Sequence, residues 1–427
     1  MSIFSLFQQH LSQTTVTRFL IGFSGGLDST ALLALFAKLR KNQPHFELRA
    51  IHIHHGLSKN ADYWAEHCQQ ICLELDIPLI VERVQVKGNE GVESNARKAR
   101  YQAVKNHIKQ GEVFVTAHHQ QDQTETFFLA LKRGSGVQGL SAMQNQSNLF
   151  GIPIVRPLLN ISRQQLEHYA NIEGLTWIED ESNQDNRYER NFLRNQVLPL
   201  LRERWNYFDQ AVQRSTMHCF EQQQLLHELL APDFERHFDP QHHTFSLEQF
   251  DLYSVPKQTA LLRLWLSELH QMMPSSEQLK EIVQTIVLAR KDANPRLKLN
   301  DCYIRRYQDK LYLTPSFIDL RSFKLDIRPD QQIELPDSLG IIITQQRQEG
   351  IFFSWQQYQV ILKNTNLPIQ IRFHYSGSVR LHKNRPSQDI KKIWQSLQIP
   401  PWQRSRIPLI FYGEKFQCAI GFIQSIE

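Results

Sequence analysis

Phe19-Leu20-Ile21-Gly22-Phe23-Ser24-Gly25-Gly26-Leu27-Asp28-Ser29-Thr30-Ala31-Leu32-Leu33 is the stretch that decides the fold. The apolar run to Phe23 reads as a buried strand, Ser24-Gly25-Gly26 as a tight turn, and Leu27 onward as a helix that starts at once. Glycines let the backbone approach an anion closely. The free N–H groups of a first helical turn, aligned with the helix dipole, favour negative charge there. The hydroxyls of Ser24 and Ser29 add donors. Asp28 sets a carboxylate beside that anion, an arrangement that calls for a cation between the two. The Gly-Lys-Ser/Thr ending of a Walker A loop is absent. An ordinary capped helix entry is the bland alternative. The complete strand–turn–helix favours a nucleotide phosphate site made by Ser24, Gly25, Gly26, Leu27, Asp28 and Ser29.

The chain has 427 residues, which is too long for one compact core, so two or three domains are expected. An apolar fraction of 41% with 21% charged residues describes a soluble globular protein. The net charge of +5 is unremarkable as an average, but its location is not. Between Lys363 and Lys415 ten bases face two acids, so this segment carries +8 and the remainder −3. A basic module on a mildly acidic body suggests a polyanionic partner; a solvated basic face is the competing reading. The N-terminal residues lack the pattern of an export signal, and no apolar run is long enough to span a membrane. The five cysteines are odd in number and scattered, without a Cys-x-x-Cys pair, which fits a reducing cytoplasm and argues against a metal site.

Short β-rich runs alternate with helical patterns through the first half, which predicts a doubly wound α/β fold with a parallel sheet. Strands are expected over 19–23, 48–54, 79–84, 113–117 and 152–155, and helices over 29–40, 62–75, 94–108 and 124–132. Ligands of such sheets sit at the carboxyl ends of the strands. The Ser24 loop, the His54-His55-Gly56 turn and the His118-His119 segment should therefore converge. After Asn206 the texture becomes helical: 209–230 is Gln-rich and amphipathic, and 247–288 continues with helical spacing. Leu297–Asn300 and Leu311–Leu313 look like a short hairpin, and strands return at 341–344 and 369–373. The polar stretch Arg328 to Pro336 reads as a linker. The expected domains are 1–208 for nucleotide binding and catalysis, 209–330 as a mainly helical domain, and 331–427 as a small basic α+β domain.

The second chemical cluster is Thr116-Ala117-His118-His119-Gln120-Gln121-Asp122-Gln123-Thr124-Glu125-Thr126. Asp122 and Glu125 are three apart and share a helix face. Two carboxylates at a nucleotide crevice could hold magnesium or receive an ammonium group; acids decorating a helix N-terminus are the plain alternative. The paired histidines lack a third ligand at sensible spacing, which argues against zinc.

These segments carry a resemblance. The Ser-Gly-Gly-x-Asp-Ser pattern resembles the pyrophosphate-binding loop of the PP-loop ATPases. The chain as a whole resembles the tRNA(Ile)-lysidine synthetase family, in its long form with C-terminal domains. The matching pieces, in order, are His54-His55-Gly56-Leu57-Ser58, Ala96-Arg97-Lys98-Ala99-Arg100-Tyr101, the Asp122 cluster, Leu131 through Gly136 with Gly139 through Met143, Arg156-Pro157-Leu158-Leu159, Glu179 through Asn183, Arg190-Asn191-Phe192-Leu193-Arg194, Ile399 through Arg404, and Ile407 through Ile410. The likeness covers nearly the whole chain and is weakest through the helical middle. One departure is clear: the family usually carries Asp-Asp-Gln where this chain has Gln121-Asp122-Gln123.

The resemblance implies ligation of free lysine to C2 of the wobble cytidine of an isoleucine tRNA with anticodon CAU. ATP first adenylates the cytidine, and the lysine ε-amine then displaces AMP. It implies a cytoplasmic enzyme with ATP as substrate and magnesium held by Asp28 and Asp122, and it leaves a homodimer open. Asp28, Asp122 and Glu125 are the expected catalytic residues, the latter two facing the lysine. Arg97, Arg190, Asn191, Arg194, Arg380, Lys383 and Arg404 are the expected tRNA contacts, and Trp394 and Trp402 are read as core. Thiolating relatives need cysteines that this chain lacks, and amide-forming relatives bring a glutaminase domain that is not seen. A non-catalytic tRNA-binding relative, suggested only by Gln121, is the remaining rival.

Overall fold

The computed structural model describes residues 2–12, 14–56, 58–85, 92–271, 273–290, 293–382 and 386–426. The chain divides into two compact units, Met1–Leu229 and Leu230–Glu427.

In the first unit helices and strands alternate: α1 (Ile3–Leu11), β1 (Arg18–Gly22), α2 (Leu27–Asn42), β2 (Glu47–His54), α3 (Ala61–Glu74), β3 (Leu79–Arg83), α4 (Val92–His107), β4 (Glu112–Val115), α5 (Gln120–Lys132), α6 (Val137–Leu140), β5 (Gln146–Leu149), β6 (Ile152–Val155), α7 (Arg163–Ile172), α8 (Glu189–Phe192), α9 (Leu198–Arg204) and α10 (Phe208–His237), whose last turns belong to the second unit. The six strands form one sheet in the order β3-β2-β1-β4-β6-β5. All neighbours are parallel except the edge hairpin β5–β6. β1 is central, and its residues Phe19, Leu20 and Ile21 are fully buried because both sheet faces are covered. Phe19 and Ile21 pack with Leu33 and Phe36 of α2 on one face. Leu20 packs with Tyr101 and Val104 of α4 and with Phe114 on the other. The order of strands reverses between β1 and β4, so a crevice opens there at their carboxyl ends.

The five strands and four helices read from periodicity in this half are present, with ends shifted by at most four residues. The antiparallel edge strand β5, Gln146–Leu149, was not expected: it is short, three of its four residues are polar, and it is specified only by pairing with β6.

The second unit continues with β7 (Phe238–Asp239), β8 (Thr244–Ser246), α11 (Val255–Glu268), α12 (Ser276–Ile282), β9 (Arg296–Leu299), β10 (Cys302–Tyr307) and β11 (Lys310–Pro315). A core of Leu261, Trp265, Ile282 and Ile304 joins its helices to a five-stranded sheet ordered β7-β8-β11-β10-β9. The expected hairpin between 297–300 and 311–313 is corrected here. β9 and β11 do not pair with each other; each pairs with the intervening β10. β10 was missed because its centre is Arg305-Arg306, two arginines that are nonetheless buried. Arg306 donates through Nε to the Gln308 carbonyl at 2.8 Å and through Nη1 to the Ala289 carbonyl at 2.7 Å. Arg305 lies 5.3 Å from the rings of Tyr303 and Trp402, which satisfies its cation without a carboxylate.

The chain ends in β12 (Lys324–Ile327), β13 (Gln331–Glu334), β14 (Ile341–Arg347), β15 (Gly350–Trp355), β16 (Tyr358–Leu362), β17 (Ile369–Arg372), β18 (Ser378–Val379), β19 (Gln388–Asp389), α13 (Ile390–Ser396), α14 (Pro401–Arg404), β20 (Leu409–Tyr412), β21 (Lys415–Ala419) and β22 (Ile423–Gln424). The sheets β12-β17-β20-β21-β22 and β13-β14-β15-β16 share one core that includes Ile342, Phe353, Ile371, Trp394 and Ile410. The stretch from Arg328 to Pro336 is not a free linker: β13 lies within it and pairs with β14 from Gln331↔Thr344 to Glu334↔Ile341. Its polar residues are the exposed positions of an edge strand. Trp394 and Trp402 are both buried.

Candidate active site

The loop after β1 holds its shape through its own serines. The Ser24 N–H donates to Ser29 Oγ at 3.2 Å, the two hydroxyl oxygens lie 3.0 Å apart, and Ser29 Oγ donates to the Gly26 carbonyl at 3.0 Å. Gly26 caps α2 without a side chain, so the helix has no side-chain group over its first N–H groups. Gly25 is required twice over. Its φ is +85°, and a Cβ there would lie 3.0 Å from Cys68 Sγ and 3.1 Å from Ile178 Cδ1. The Ile178 N–H also donates to the Gly25 carbonyl at 2.9 Å. Burial pushes the Cys68 thiol up to about 12, so this cysteine packs against the loop as a neutral group.

Asp28 sits in the first turn of α2. Its Oδ1 is buried without a hydrogen-bond partner, and its Oδ2 lies 3.5 Å from His119 Nε2. The same imidazole nitrogen lies 3.5 Å from Asp122 Oδ2, so His119 bridges the two aspartates. His119 is also the N-cap of α5: its ring accepts from the Gln121 N–H at 3.2 Å, and Asp122 Oδ2 accepts from the His119 N–H at 3.0 Å. Burial disfavours the charged imidazole, but Asp122, Asp28 and Glu125 outweigh it and raise His119 above its ordinary value. Burial works against the Asp122 carboxylate too, but His119, His118 and Arg190 overcome it and hold the group down at about 2.

Glu125 lies on the same face of α5 and is fully buried. Arg194 grips it bidentately, with Nε to Oε1 at 2.7 Å and Nη2 to Oε2 at 2.9 Å, and reaches Asp122 Oδ1 at 3.2 Å. Arg190 adds Nε 3.5 Å from Glu125 Oε2 and donates to Thr126 Oγ1 at 3.0 Å. Burial and the nearby Asp122 push Glu125 up, against the opposing pull of Arg194 and Arg190.

Of the residues expected from sequence, Ser24 through Ser29, Asp28, Asp122, Glu125, Arg190 and Arg194 come together at the crevice. Asn191 instead donates to the carbonyls of Ser182 and Asp185 at 2.8 and 3.0 Å and braces its own loop. Arg97 lies over the Tyr101 ring at 5.2 Å on α4. In the second unit, Arg380 is exposed, and Arg404 donates through Nε to the Ile399 carbonyl at 2.8 Å. Lys383 lies outside the described residues. Arg406, also counted among the basic residues of that module, is spent on Asp337 and on the Phe317 ring at 4.3 Å.

His119 was missed as a site residue. Its signal was positional, since a histidine three residues before Asp122 at a helix start forms a capping pair. Arg156 was quoted only as part of a motif, yet it is buried, with Nη1 on the Gln144 carbonyl and Ser147 Oγ.

A magnesium ion would suit Asp28, whose buried Oδ1 has no other partner. Asp122 suits it less well, since both its oxygens are engaged. Among the described residues no three of His, Cys, Asp and Glu form a metal-holding group, so phosphate oxygens and water would complete the shell.

Three family models match the chain: a PP-loop domain over residues 2–201, a TilS substrate binding domain over 245–312, and a TilS substrate C-terminal domain over 369–426. Curated relatives are similar along the full length. A tRNA(Ile)-lysidine synthase of Haemophilus influenzae (strain PittEE) is 57% identical over 100% of both chains. Its counterpart from Histophilus somni (strain 129Pt) is 55% identical over the same shares. That of Actinobacillus succinogenes is 50% identical over 99% of each.

Proposed function

This chain belongs to the tRNA(Ile)-lysidine synthase family, and from that premise we propose that it converts the wobble cytidine of isoleucine tRNA with anticodon CAU to lysidine. ATP adenylates the C2 oxygen of the cytidine and pyrophosphate leaves; free lysine then displaces AMP through its ε-amine. The observation that carries this reading is the self-braced Ser24–Ser29 loop opening onto Asp28, with the Asp122–Glu125–Arg194 cluster across the crevice.

The loop N–H groups and the start of α2 would hold the phosphates of ATP, with Ser24 and Ser29 as further donors. Asp28, with Asp122 in support, would hold magnesium, which neutralises charge developing on the phosphates. His119 fixes the spacing of the two aspartates from behind. Lysine brings an ammonium group that seeks carboxylates, and Asp122 and Glu125 are the pair at hand. In the structure Arg194 occupies both, so lysine would enter by displacing or sharing that guanidinium. Losing the ammonium's proton readies the ε-amine for attack.

We assign residues 1–208 to this chemistry and the modules 209–330 and 331–427 to holding tRNA, with Arg380, Lys383 and Arg404 as phosphate contacts in the last. Such an enzyme works in the cytoplasm, with its tRNA. The test is AMP release from ATP and magnesium with an isoleucine tRNA transcript bearing CAU, with and without lysine. AMP release and lysine incorporation that both depend on that tRNA are expected. Tight tRNA binding without AMP would mean a binding protein instead.

A further inference from the structure

One helical run makes contacts toward both sides of the site. It starts at α8 and passes through a wider, π-type turn at Leu193–Val197 into α9. Arg190 and Arg194, four residues apart, turn to Glu125 on α5. Asn191 and Asn195, each one position later, turn to the segment that precedes the run. Asn191 Nδ2 donates to the carbonyls of Ser182 and Asp185. Asn195 Nδ2 donates to the Asn183 carbonyl and to Asn186 Oδ1, both at 3.0 Å. The segment has a shape of its own: Asp180 Oδ1 accepts from the Ser182 N–H at 2.8 Å and caps a short 3₁₀ turn, Glu181–Gln184. Glu181 reaches the loop after β2, where it accepts from Ser58 Oγ and from Asn60 Nδ2, each at 3.3 Å. Residues 178–186 thus form a strap with anchors on two sides.

The start of the strap lies on the phosphate loop. The Ile178 N–H donates to the Gly25 carbonyl at 2.9 Å, and Ile178 Cδ1 fills the space that a Gly25 Cβ would take. Thr30 Oγ1 adds a longer bond to the same carbonyl at 3.3 Å. Pinning that carbonyl sets the aim of the next N–H, because a planar trans peptide points its N–H away from its C=O. With the carbonyl turned to Ile178, the Gly26 N–H is turned away from the strap. Its partner there is Ser24 Oγ at 3.4 Å, a long bond that an anion's oxygen can replace. Glycine on both sides leaves this peptide few steric limits of its own. A flipped peptide would present a carbonyl to a phosphate, and the Ile178 contact opposes that flip.

We propose that Asn191 and Asn195 are positioning residues for ATP: they hold the 178–186 strap on the phosphate loop, and the strap holds the Gly25–Gly26 peptide with its N–H toward the phosphates. This rests on the reading of the chain as an ATP-using synthetase. It places Asn191 on the nucleotide side, in place of the tRNA contact that the resemblance implies. It also ties the loop that binds ATP to the helical run whose arginines grip Glu125. The anchors are exposed or half-buried bonds. With one anchor lost the strap spends part of its time off the loop, and apparent ATP affinity falls by that fraction.

Calorimetry on the full-length protein with ATP and magnesium, without tRNA or lysine, reads the effect directly. Asn191→Ala and Asn195→Ala should each weaken ATP binding about fivefold, the worth of one hydrogen bond, and the double variant should lose more. Asn191→Asp keeps the shape but sets a carboxylate against two carbonyls, so it should lose at least as much as Asn191→Ala. Glu181→Ala releases the other anchor from an exposed position without touching the helical run. It should weaken ATP binding too, and it keeps the test available if the asparagine variants fail to fold. Affinity for an isoleucine tRNA, and its salt slope, should stay at wild-type values throughout. Wild-type ATP affinity in the Asn191→Ala/Asn195→Ala double variant would overturn the proposal, as would a loss of tRNA affinity with ATP binding intact. Wild-type protein that bound no ATP would remove the functional reading itself, and this proposal with it.

Discussion

The Arg163 N–H donates to the side-chain oxygen of Gln121 at 2.9 Å, joining the first turn of α5 to the first residue of α7. Position 121 therefore serves a helix start and does not face the Asp28–Asp122 pair. A carboxylate oxygen could accept the same bond.

Gln121→Asp is accordingly expected to leave AMP formation and lysine incorporation close to wild type. Gln121→Ala should lower stability by less than about 1 kcal/mol, because the bond is exposed and water takes over the Arg163 N–H, read by urea denaturation. A large gain in rate for Gln121→Asp would show that the missing charge does matter to the chemistry.

Asp28→Asn should leave the fold intact, because Oδ1 has no hydrogen bond to lose. Magnesium-dependent AMP formation should fall by about 10²–10³, the usual loss when one charge-stabilising group is removed. Chelating magnesium from the wild type should have the same effect. Full activity in Asp28→Asn would remove Asp28 from the reaction.

Arg194 compensates a carboxylate, Glu125, that is fully buried. Arg194→Ala should destabilise the protein by about 2 kcal/mol, less than for a fully buried pair because the Arg194 side chain is 35% exposed. Adding Glu125→Gln should recover part of the loss. Urea melts of the two single variants and the double variant measure the coupling, and strictly additive effects would mean that the pair is not coupled.

His118 gives the first unit a pH dependence of known sign. Burial, with Asp122 opposing and Arg156, Arg190 and Arg97 reinforcing, pushes its imidazole down to about 3. The unfolded chain thus binds a proton near 6.5 that the folded chain refuses, and stability falls as pH drops from about 6.5 toward 3. His119, raised above its ordinary value, contributes the opposite trend, lost as pH rises through its folded value. Urea midpoints at pH 7.5 and 5.5 should differ less in His118→Asn than in the wild type. An unchanged difference would mean that His118 is protonated in the fold.

Two neighbouring arginines of the second unit should separate by role. Arg406→Ala should cost stability of about 1 kcal/mol by leaving Asp337 with only the Ile318 N–H as partner, with the salt slope of tRNA binding unchanged. Arg404→Ala should weaken tRNA binding and flatten that slope by about 0.9 if it meets a stem phosphate. Equal slopes for Arg404→Ala and wild type would take Arg404 out of the interface.

The alternation of strands and helices through Lys132 and the glycine turn from Ser24 to Ser29 were determined by sequence alone. Each rests on local physics: two-sided burial of short β-branched runs, helical periodicity, and the backbone freedom of glycine. What only tertiary structure decided involves partners far apart in the chain. Arg194 closes on Glu125 across 69 residues, and Gln121 meets the N–H of a residue 42 positions on. β10 hides Arg305 and Arg306 in a sheet because aromatic rings and carbonyls elsewhere in the unit receive them. Periodicity reports which way a residue faces; the partner it then meets depends on the strand order and crossovers of the whole sheet, which no local pattern encodes.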